Sequence, residues 1–562
     1  MDFLVKIPES VSGITRKKIK GVTYVYYVYD RQYNAEKKYS EPKTTSIGKC
    51  DDPQSGMMYP NANYLKYFPD AQLPEEKGGR VRSNCLHVGA YFVLRRIIAE
   101  YHLDEMLGRI IGKDSGLFLD LAAYSILTEN NAGQYYPDYA YGHPLFTRNM
   151  KVYSDSKVSD FLSGGLVDER IAFLNEWNEK RNHREKIYIS YDSTNKHCQA
   201  GDVALAEIGH EKDKQNKPVM NYAIALDQNN NEPLFYEEYP GSINDVAQLQ
   251  VMIDKAAGYG YKNVGFILDR GYFSEPNIRH MDRCGYEFVI MVKGMKELVS
   301  ELVLKHHGMF EQDRAHSIRD HKVNGMTLRQ KLFASDEKER YFHIYYNDRK
   351  HAAERESFEN NIDKMASFLK EHQGEKLPIG PGIEKYFELI YHNQGQEDEH
   401  FVLSRKKTDV INREIALCGY FVIITSQKMT AEEALDLYKG RDVSEKLFRG
   451  DKSYLGNKST RGHSSESVDA RIFVEFIALI IRNRIYTKLK EEVKRSGKKE
   501  NYMTVPAALR ELEKIEMIRS VDREYHLDYA VSATQKAVLK AFGMTANDIK
   551  LLANALGKEL AA

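Results

Sequence analysis

The stretch that decides the fold reads KIYISYD (186–192), MNYAIALD (220–227), EPLFYEEYPG (232–241), DVAQLQVMIDKAAG (245–258), NVGFILD (263–269), SEPNIRHMDRCG (274–285) and EFVIMVK (287–293). The first three segments are short apolar runs rich in β-branched and aromatic residues, the composition of strands. Residues 245–258 repeat apolar positions at three-to-four spacing and read as a helix. NVGFILD is strand-like again, 274–285 is helical, and 287–292 is a further strand. Asp192 ends the first of these strands and Asp269 ends the fourth.

Three strands in a meander, followed by crossovers through helices, give a mixed sheet. That is the layout of a ribonuclease-H-like fold, so the fold class is α/β within a multidomain α+β chain. Working outward, 186–300 is the first part of this core and 419–490 the second. Between them, 301–418 reads as a β-rich insertion, with strands at 340–348 and 385–393 around a charged helical stretch. Residues 85–185 are helical in period, as in HVGAYFVLRRIIAEYHLDEML from His87 and GLFLDLAAYSILTE from Gly116. Residues 1–80 form a small module whose segment 23–49 alternates β-branched and aromatic residues, with breaks at Asn34-Ala35 and Glu41-Pro42. This ribbon is basic and rich in Tyr, and reads either as a DNA-groove element or as an ordinary half-exposed hairpin. The C-terminal region, 491–562, is helical.

Composition narrows the function classes. With 42% hydrophobic and 29% charged residues the chain is globular and not disordered. Its most apolar run, Ile472–Ile481, spans ten residues and contains Glu475, too short for a membrane span and suited to a buried helix. The opening MDFLVKIPES lacks the apolar run of a signal peptide. Five cysteines without a C-x-x-C fit a reducing cytoplasm and argue against a disulfide framework or a Cys-rich zinc site. The formal net charge is zero, which alone argues against a nucleic-acid partner. That zero is a sum of unlike parts, net +5 over 1–50, −6 over 351–400 and +7 over 438–500. DNA affinity is therefore expected in the N-terminal ribbon and from 438 onward.

Two carboxylates converging at strand ends make a divalent-metal site plausible, because Mg and Mn prefer oxygen ligands. Asp at a strand end is also a common turn former. A third element adds weight. The segment TAEEALDLYKGRDVSEKLFRGDK from Thr430 opens with a T-x-x-E capping box, Thr430 to Glu433. Tyr438, Arg441, Glu445 and Lys452 follow at offsets that, at about 100° per residue, place them within about 60° of one another on one helix face. Gly450 interrupts that helix in propensity. By spacing alone this is also a solvated face with ordinary salt bridges. In-line phosphodiester cleavage with two metal ions requires about three carboxylates, which Asp192, Asp269 and Glu445 supply. Arg441 and Lys452 would flank the path of a phosphate backbone, with Tyr438 on a phosphate or sugar.

Tyr438-(2)-Arg441-(3)-Glu445-(6)-Lys452 resembles the YREK signature of DDE transposases from bacterial insertion sequences, and YDSTN (191–195) and DRGYFS (269–274) resemble that family's two aspartate motifs. The resemblance covers roughly 186–490. It implies Asp192, Asp269 and Glu445 as the metal-binding catalytic triad with two Mg2+ or Mn2+ ions. It further implies Tyr438, Arg441 and Lys452 on transposon-end DNA, terminal inverted repeats and target DNA as partners, and a homodimer on paired ends in the bacterial cytoplasm and nucleoid. The implied activity is cut-and-paste transposition, with hydrolysis at the ends, often through a hairpin, then attack of the 3′-OH on target DNA. In the family the insertion supports the hairpin and the flipped base. The only Trp here, Trp177, precedes the core, so an aromatic wedge would fall to Tyr or Phe.

Lesser candidates are Lys293-Gly294 as a DNA contact and Arg461-GHSSES as a phosphate-contacting loop or helix connection. His197-Cys198 is a soft-metal pair or simply loop residues. No G-x-x-x-x-G-K-[ST] occurs, so ATP dependence is not indicated. A ribonuclease-H-like nuclease without strand transfer would use the same carboxylates. A catalytically silent end-binding repressor would not need them. Two-carboxylate glycoside hydrolysis leaves Arg441 and Lys452 without a role.

Overall fold

The apolar run from Ile187 folds as a strand twice as long as its pattern suggests, β1 (Ile187–Cys198). The computed structural model describes residues 4–19, 22–34, 37–50, 55–71, 82–181, 185–198, 203–208, 217–243, 245–292, 296–376, 381–395, 399–441, 455, 459–498, 500–519 and 524–561. Asp192 therefore lies inside a strand and does not end one. Next come β2 (Val219–Asp227), β3 (Glu232–Pro240), α1 (Asp245–Gly258), β4 (Val264–Leu268), α2 (Glu275–Cys284) and β5 (Glu287–Met291), in the order the sequence predicts. β1, β2 and β3 form an antiparallel meander, while β4 pairs parallel with β1 and β5 parallel with β4. The spatial order β3-β2-β1-β4-β5 is that of a ribonuclease-H-like sheet. Every residue of β2 is buried, as befits a central strand covered on both faces.

The sheet continues past β5. β6 (Ser317–Ile318), β7 (Val323–Lys331), β8 (Glu339–Tyr346) and β9 (Tyr420–Thr425) add in the order β5-β9-β8-β7-β6. The strand expected in the insertion at 340–348 thus belongs to the main sheet, because its apolar residues Phe342, Ile344 and Tyr345 are buried against β9. The rest of the expected insertion is less β-rich than its sequence suggests. α3 (Asp348–Glu371) and helix Thr408–Ala416 flank the hairpin Phe387–His392/His400–Lys406. Ile362, Leu369, Phe387 and Phe401 form its own small core. β10 (Ser459–Thr460) pairs parallel with the far end of β1.

The chain forms two compact units. One comprises Met1–Arg170, Ser453–Asn457 and Glu466–Ala562, and the other Ile171–Lys452 and Lys458–Ser465. The first contains a five-stranded N-terminal antiparallel sheet and a set of helices. The strand break expected at Glu41-Pro42 is absent, and strand Tyr39–Cys50 runs through it. There the hairpin is two-stranded, and a strand edge tolerates proline. The helical run from His87 breaks into Gly89–Glu100 and Leu103–Ile110 at His102, whose φ of 54° ends the first helix. The apolar run 472–481 is buried inside helix Ser465–Ser496, and among the described residues no helix is long and apolar enough to cross a membrane. The C-terminal region also holds two short strands, Glu516–Ile518 and His526–Leu527, paired in one sheet with Cys85–His87.

Two buried polar side chains tie the second unit together. Trp177 is fully buried, with its ring stacked on Phe173, its Nε1 donating to the Pro233 carbonyl at 2.9 Å and the Arg181 guanidinium over its face. His343, in β8, lies between Thr327 of β7 and Thr425 of β9 at 2.9 and 3.0 Å. The Thr425 hydroxyl donates to the Gln427 carbonyl, so it accepts from His343 Nε2 while Thr327 donates to Nδ1. Burial lowers the His343 pKa from 6.5 to about 4. A depressed histidine stabilises the fold above the unfolded value and loses that stabilisation as pH falls toward the folded one. Stability of this unit is expected to drop by roughly 3 kcal/mol between pH 6.5 and pH 4 on this account. His343→Gln should flatten that slope in urea melts followed by Trp177 emission, and an unchanged slope would refute the assignment.

Candidate active site

β4 stops at Leu268, whose partner on β1 is Tyr191. The next residues on the two strands are Asp269 and Asp192, neighbours across a parallel pair whose strands lie about 4.8 Å apart. Cross-strand neighbours in register share a face, so both carboxylates project to the same side. β1 runs on to Cys198 while β4 does not. Among the described residues, that edge of β1 stays open until β10 pairs with His197 and Cys198. On its other edge Asp192 pairs with Ile224 of β2. The notch beside Asp192 lies where α/β sheets gather ligands, at the ends of parallel strands.

Each carboxylate is held by its own backbone. Asp192 Oδ1 accepts from the Ser193 amide at 2.8 Å. Asp269 caps the turn Arg270–Tyr272, accepting from the Arg270 amide at 2.7 Å. Asn277, fully buried on α2, donates to the Tyr272 carbonyl at 3.0 Å and to the Val246 carbonyl of α1 at 2.9 Å. This locks the turn that aims Asp269. The sequence reading missed Asn277, although an amide beside the apolar pair Ile278 and Met281 is the signal of a buried positioning group.

The third element is α4 (Ala431–Gly440), and its predicted capping box is present. The Thr430 hydroxyl accepts from the Glu433 amide at 3.2 Å, and Glu433 accepts from the Thr430 amide at 2.7 Å. Ala431, Ala434, Leu435 and Tyr438 form a buried stripe at three-to-four spacing. They pack on Ile267, Val289, Tyr345 and Ile423 of the sheet, and the Tyr345 hydroxyl donates to the Ala431 carbonyl at 2.6 Å. Gly325 on β7 permits that approach, since a Cβ there would meet Tyr345 at 2.9 Å and Ala431 at 3.1 Å.

Tyr438 is therefore part of a core stripe, contrary to the reading of its face as wholly polar. Its ring is buried, and its hydroxyl donates to Asp269 Oδ1 at 3.3 Å. Arg441, the C-cap of α4, brings its guanidinium within 3.3 Å of Asp269 Oδ2 and 5.4 Å of the Tyr438 ring centroid. Burial, reinforced by Asp269 and opposed by Arg441, raises the Tyr438 pKa, so the phenol stays a hydrogen-bond donor. Asp269 remains 38% exposed, open to a ligand from the solvent side. Glu445, Lys452 and Lys293 lie outside the described residues. The proposed shared face of α4 is thus represented by Tyr438 and Arg441. His197 and Cys198, read as loop residues, are buried in β1. Arg461 lies in the connection from β10 to helix Ser465–Ser496.

A family model described as the transposase DDE domain matches residues 188–481. The chain belongs to that family. It is a DDE transposase, and enzymes of this family use divalent metal ions. The matched span contains Asp192, Asp269, Tyr438, Arg441 and Glu445. Among solved structures, the cryo-EM synaptic complex of piggyBac transposase with hairpin DNA is similar at a TM-score of 0.34 and 9% identity, over 75% of each chain. No curated protein matches the chain.

Tyr438→Phe removes only the hydroxyl that holds Asp269, and Arg441→Gln only the charge. Each is expected to slow DNA cleavage about 10–100-fold, the cost of losing a group that orients a metal ligand, which is the role the DDE signature implies for Asp269. Thermal midpoints should stay near wild type. Wild-type cleavage rates in both variants would show that neither residue positions Asp269.

Proposed function

We propose that this transposase belongs to the YREK-signature group of bacterial insertion sequences and performs cut-and-paste transposition. The observation that carries the reading is that Asp192 and Asp269 directly follow the paired residues Tyr191 and Leu268, with Tyr438 and Arg441 bearing on Asp269. Two adjacent carboxylates form a hard oxygen donor set that suits Mg2+ or Mn2+ and not a soft metal. Asp192 and Asp269, with Glu445 as the third carboxylate, would hold two such ions. Bound there, the ions would supply the charge that activates an attacking oxygen and stabilises a leaving one.

The chain's own groups do the rest. The Arg270 amide and the Tyr438 hydroxyl fix one oxygen of Asp269. Arg441 adds a positive charge beside the carboxylates, where a DNA phosphate would have to pass, and Lys452 and Lys293 are the further backbone contacts in this reading. Water attacks the phosphorus at the element's end, the P–O3′ bond breaks, and the 3′-oxygen leaves with a proton. The freed 3′-OH then attacks a target phosphate in the same geometry, forming a new P–O3′ bond as the target strand's own P–O3′ bond breaks and its 3′-oxygen leaves with the proton. The substrates are terminal inverted repeats and target DNA, bound by a homodimer that pairs two ends in the cytoplasm at the nucleoid. Residues 348–418, with their own core, are the insertion domain in this reading.

Asp192→Asn, Asp269→Asn and Glu445→Gln should each abolish Mg-dependent cleavage of labelled element ends while leaving end binding largely intact. Cleavage at the wild-type rate in any of the three would refute its role. With target plasmid present, the wild-type protein should yield joined products; cleavage without joining would reduce the function to that of a nuclease.

A further inference from the structure

The N-terminal antiparallel sheet has one packed face and one open face. Its strands lie in the order Val5–Lys6, Met57–Pro60, Tyr39–Cys50, Val22–Asn34, Ile14–Ile19. Val5, Val25, Ile47 and Met58 are buried on one side with Tyr64 of helix Ala62–Tyr67. Side chains alternate along a strand and partners in register share a face, so the intervening residues point the other way. Tyr24 pairs with Lys17 on one neighbouring strand and Lys49 on the other. Lys49 pairs in turn with Tyr59. Lys17, Tyr24, Lys49 and Tyr59 thus form a row across four adjacent strands. Tyr26 lies beside the row, and Lys6, next to Met57, extends the face onto the edge strand.

This face has the chemistry of a nucleic-acid platform. Its three lysines are exposed, and its three tyrosines are only partly buried. The Lys17 ammonium lies 5.1 Å from the Tyr26 ring centroid and that of Lys49 lies 6.0 Å from Tyr59. Among its described residues the face carries no Asp or Glu. The tip of the long hairpin is different, since Lys37 pairs with Glu41 at 2.9 Å and Lys43 with Asp30 at 3.5 Å. Among the described residues, Lys6, Lys17 and Lys49 of the sheet face make no such ion pair.

Dimensions choose the form of DNA. Four strands at about 4.8 Å spacing span about 15 Å before side chains are added. The major groove of B-DNA is about 12 Å wide and cannot admit the sheet face-on. A flat face with aromatic rings between cations instead suits unpaired bases, which stack on the rings while phosphates meet the lysines. We propose that this open face binds single-stranded DNA, with Tyr24, Tyr26 and Tyr59 as stacking positions and Lys6, Lys17 and Lys49 as phosphate contacts. The proposal rests on the DNA-processing role above and names a second DNA surface for it.

The test uses full-length protein in EDTA, so that binding is read without cleavage, and a fluorescein-labelled oligothymidylate. The triple variant Lys6→Gln/Lys17→Gln/Lys49→Gln should weaken binding and lower the salt slope by about 2, as expected for three single-strand phosphate contacts. Tyr24→Ser/Tyr59→Ser should weaken it about tenfold or more. As a readout independent of variants, the single strand should protect Lys17 and Lys49 of the wild-type protein from acetylation. Unchanged affinity and slope with no protection would overturn the proposal, as would an equal loss for a duplex of the same length. Neither result touches the metal-dependent cleavage on which the catalytic reading stands.

Discussion

The catalytic unit depends on the parallel register of two strands. With Leu268 opposite Tyr191, Asp269 follows opposite Asp192. A shift of one residue would turn one carboxylate to the other face of the sheet, because side chains alternate with a period of two. The register is held from both sides. β1 is also locked to β2 over nine paired residues, and β4 to β5 over four. Among the described residues, the early end of β4 then leaves the edge of β1 beside Asp192 open as far as His197.

Asp269 illustrates how one carboxylate is both fixed and kept available. A backbone amide and a phenol hold one oxygen, a guanidinium faces the other, and more than a third of the side chain is still exposed. The phenol can serve because its ring belongs to the core. Tyr438 has an apolar body for the stripe on α4 and a polar tip for the site, the division of labour expected of a buried tyrosine. Docking of α4 through Ala431, Leu435 and Tyr438 is thus the same event as placing a hydrogen-bond donor on the second aspartate. The buried Asn277 does the corresponding work on the backbone side of the Asp269 turn.

Much of the fold was legible in the sequence because its signals are local. The apolar runs of KIYISYD and MNYAIALD, the helical spacing of 245–258 and the Thr430–Glu433 capping box each depend on residues within a few positions of one another. Each element appears where expected. What failed to read correctly was set by distant partners. Asp192 looks like a strand end, yet β1 continues because β2 and β10 pair with its polar second half. The strand from Glu339 looks like part of an insertion, yet it completes the main sheet through β9, whose sequence lies past residue 419. The polar face through Tyr438 and Arg441 is buried at its first member, because the sheet covers it.

The sequence by itself determined the order of strands and helices of the core and the helix start at Thr430. These are matters of residue type and short spacing, which a chain carries wherever it folds. Only the tertiary structure decided that Asp192 and Asp269 are neighbours, that Tyr438 and Arg441 converge on Asp269, and that lysines and tyrosines line up across four N-terminal strands. Those facts arise from hydrogen-bond register between segments far apart in the chain. Register is chosen by the burial of all partner strands together and not by any one of them.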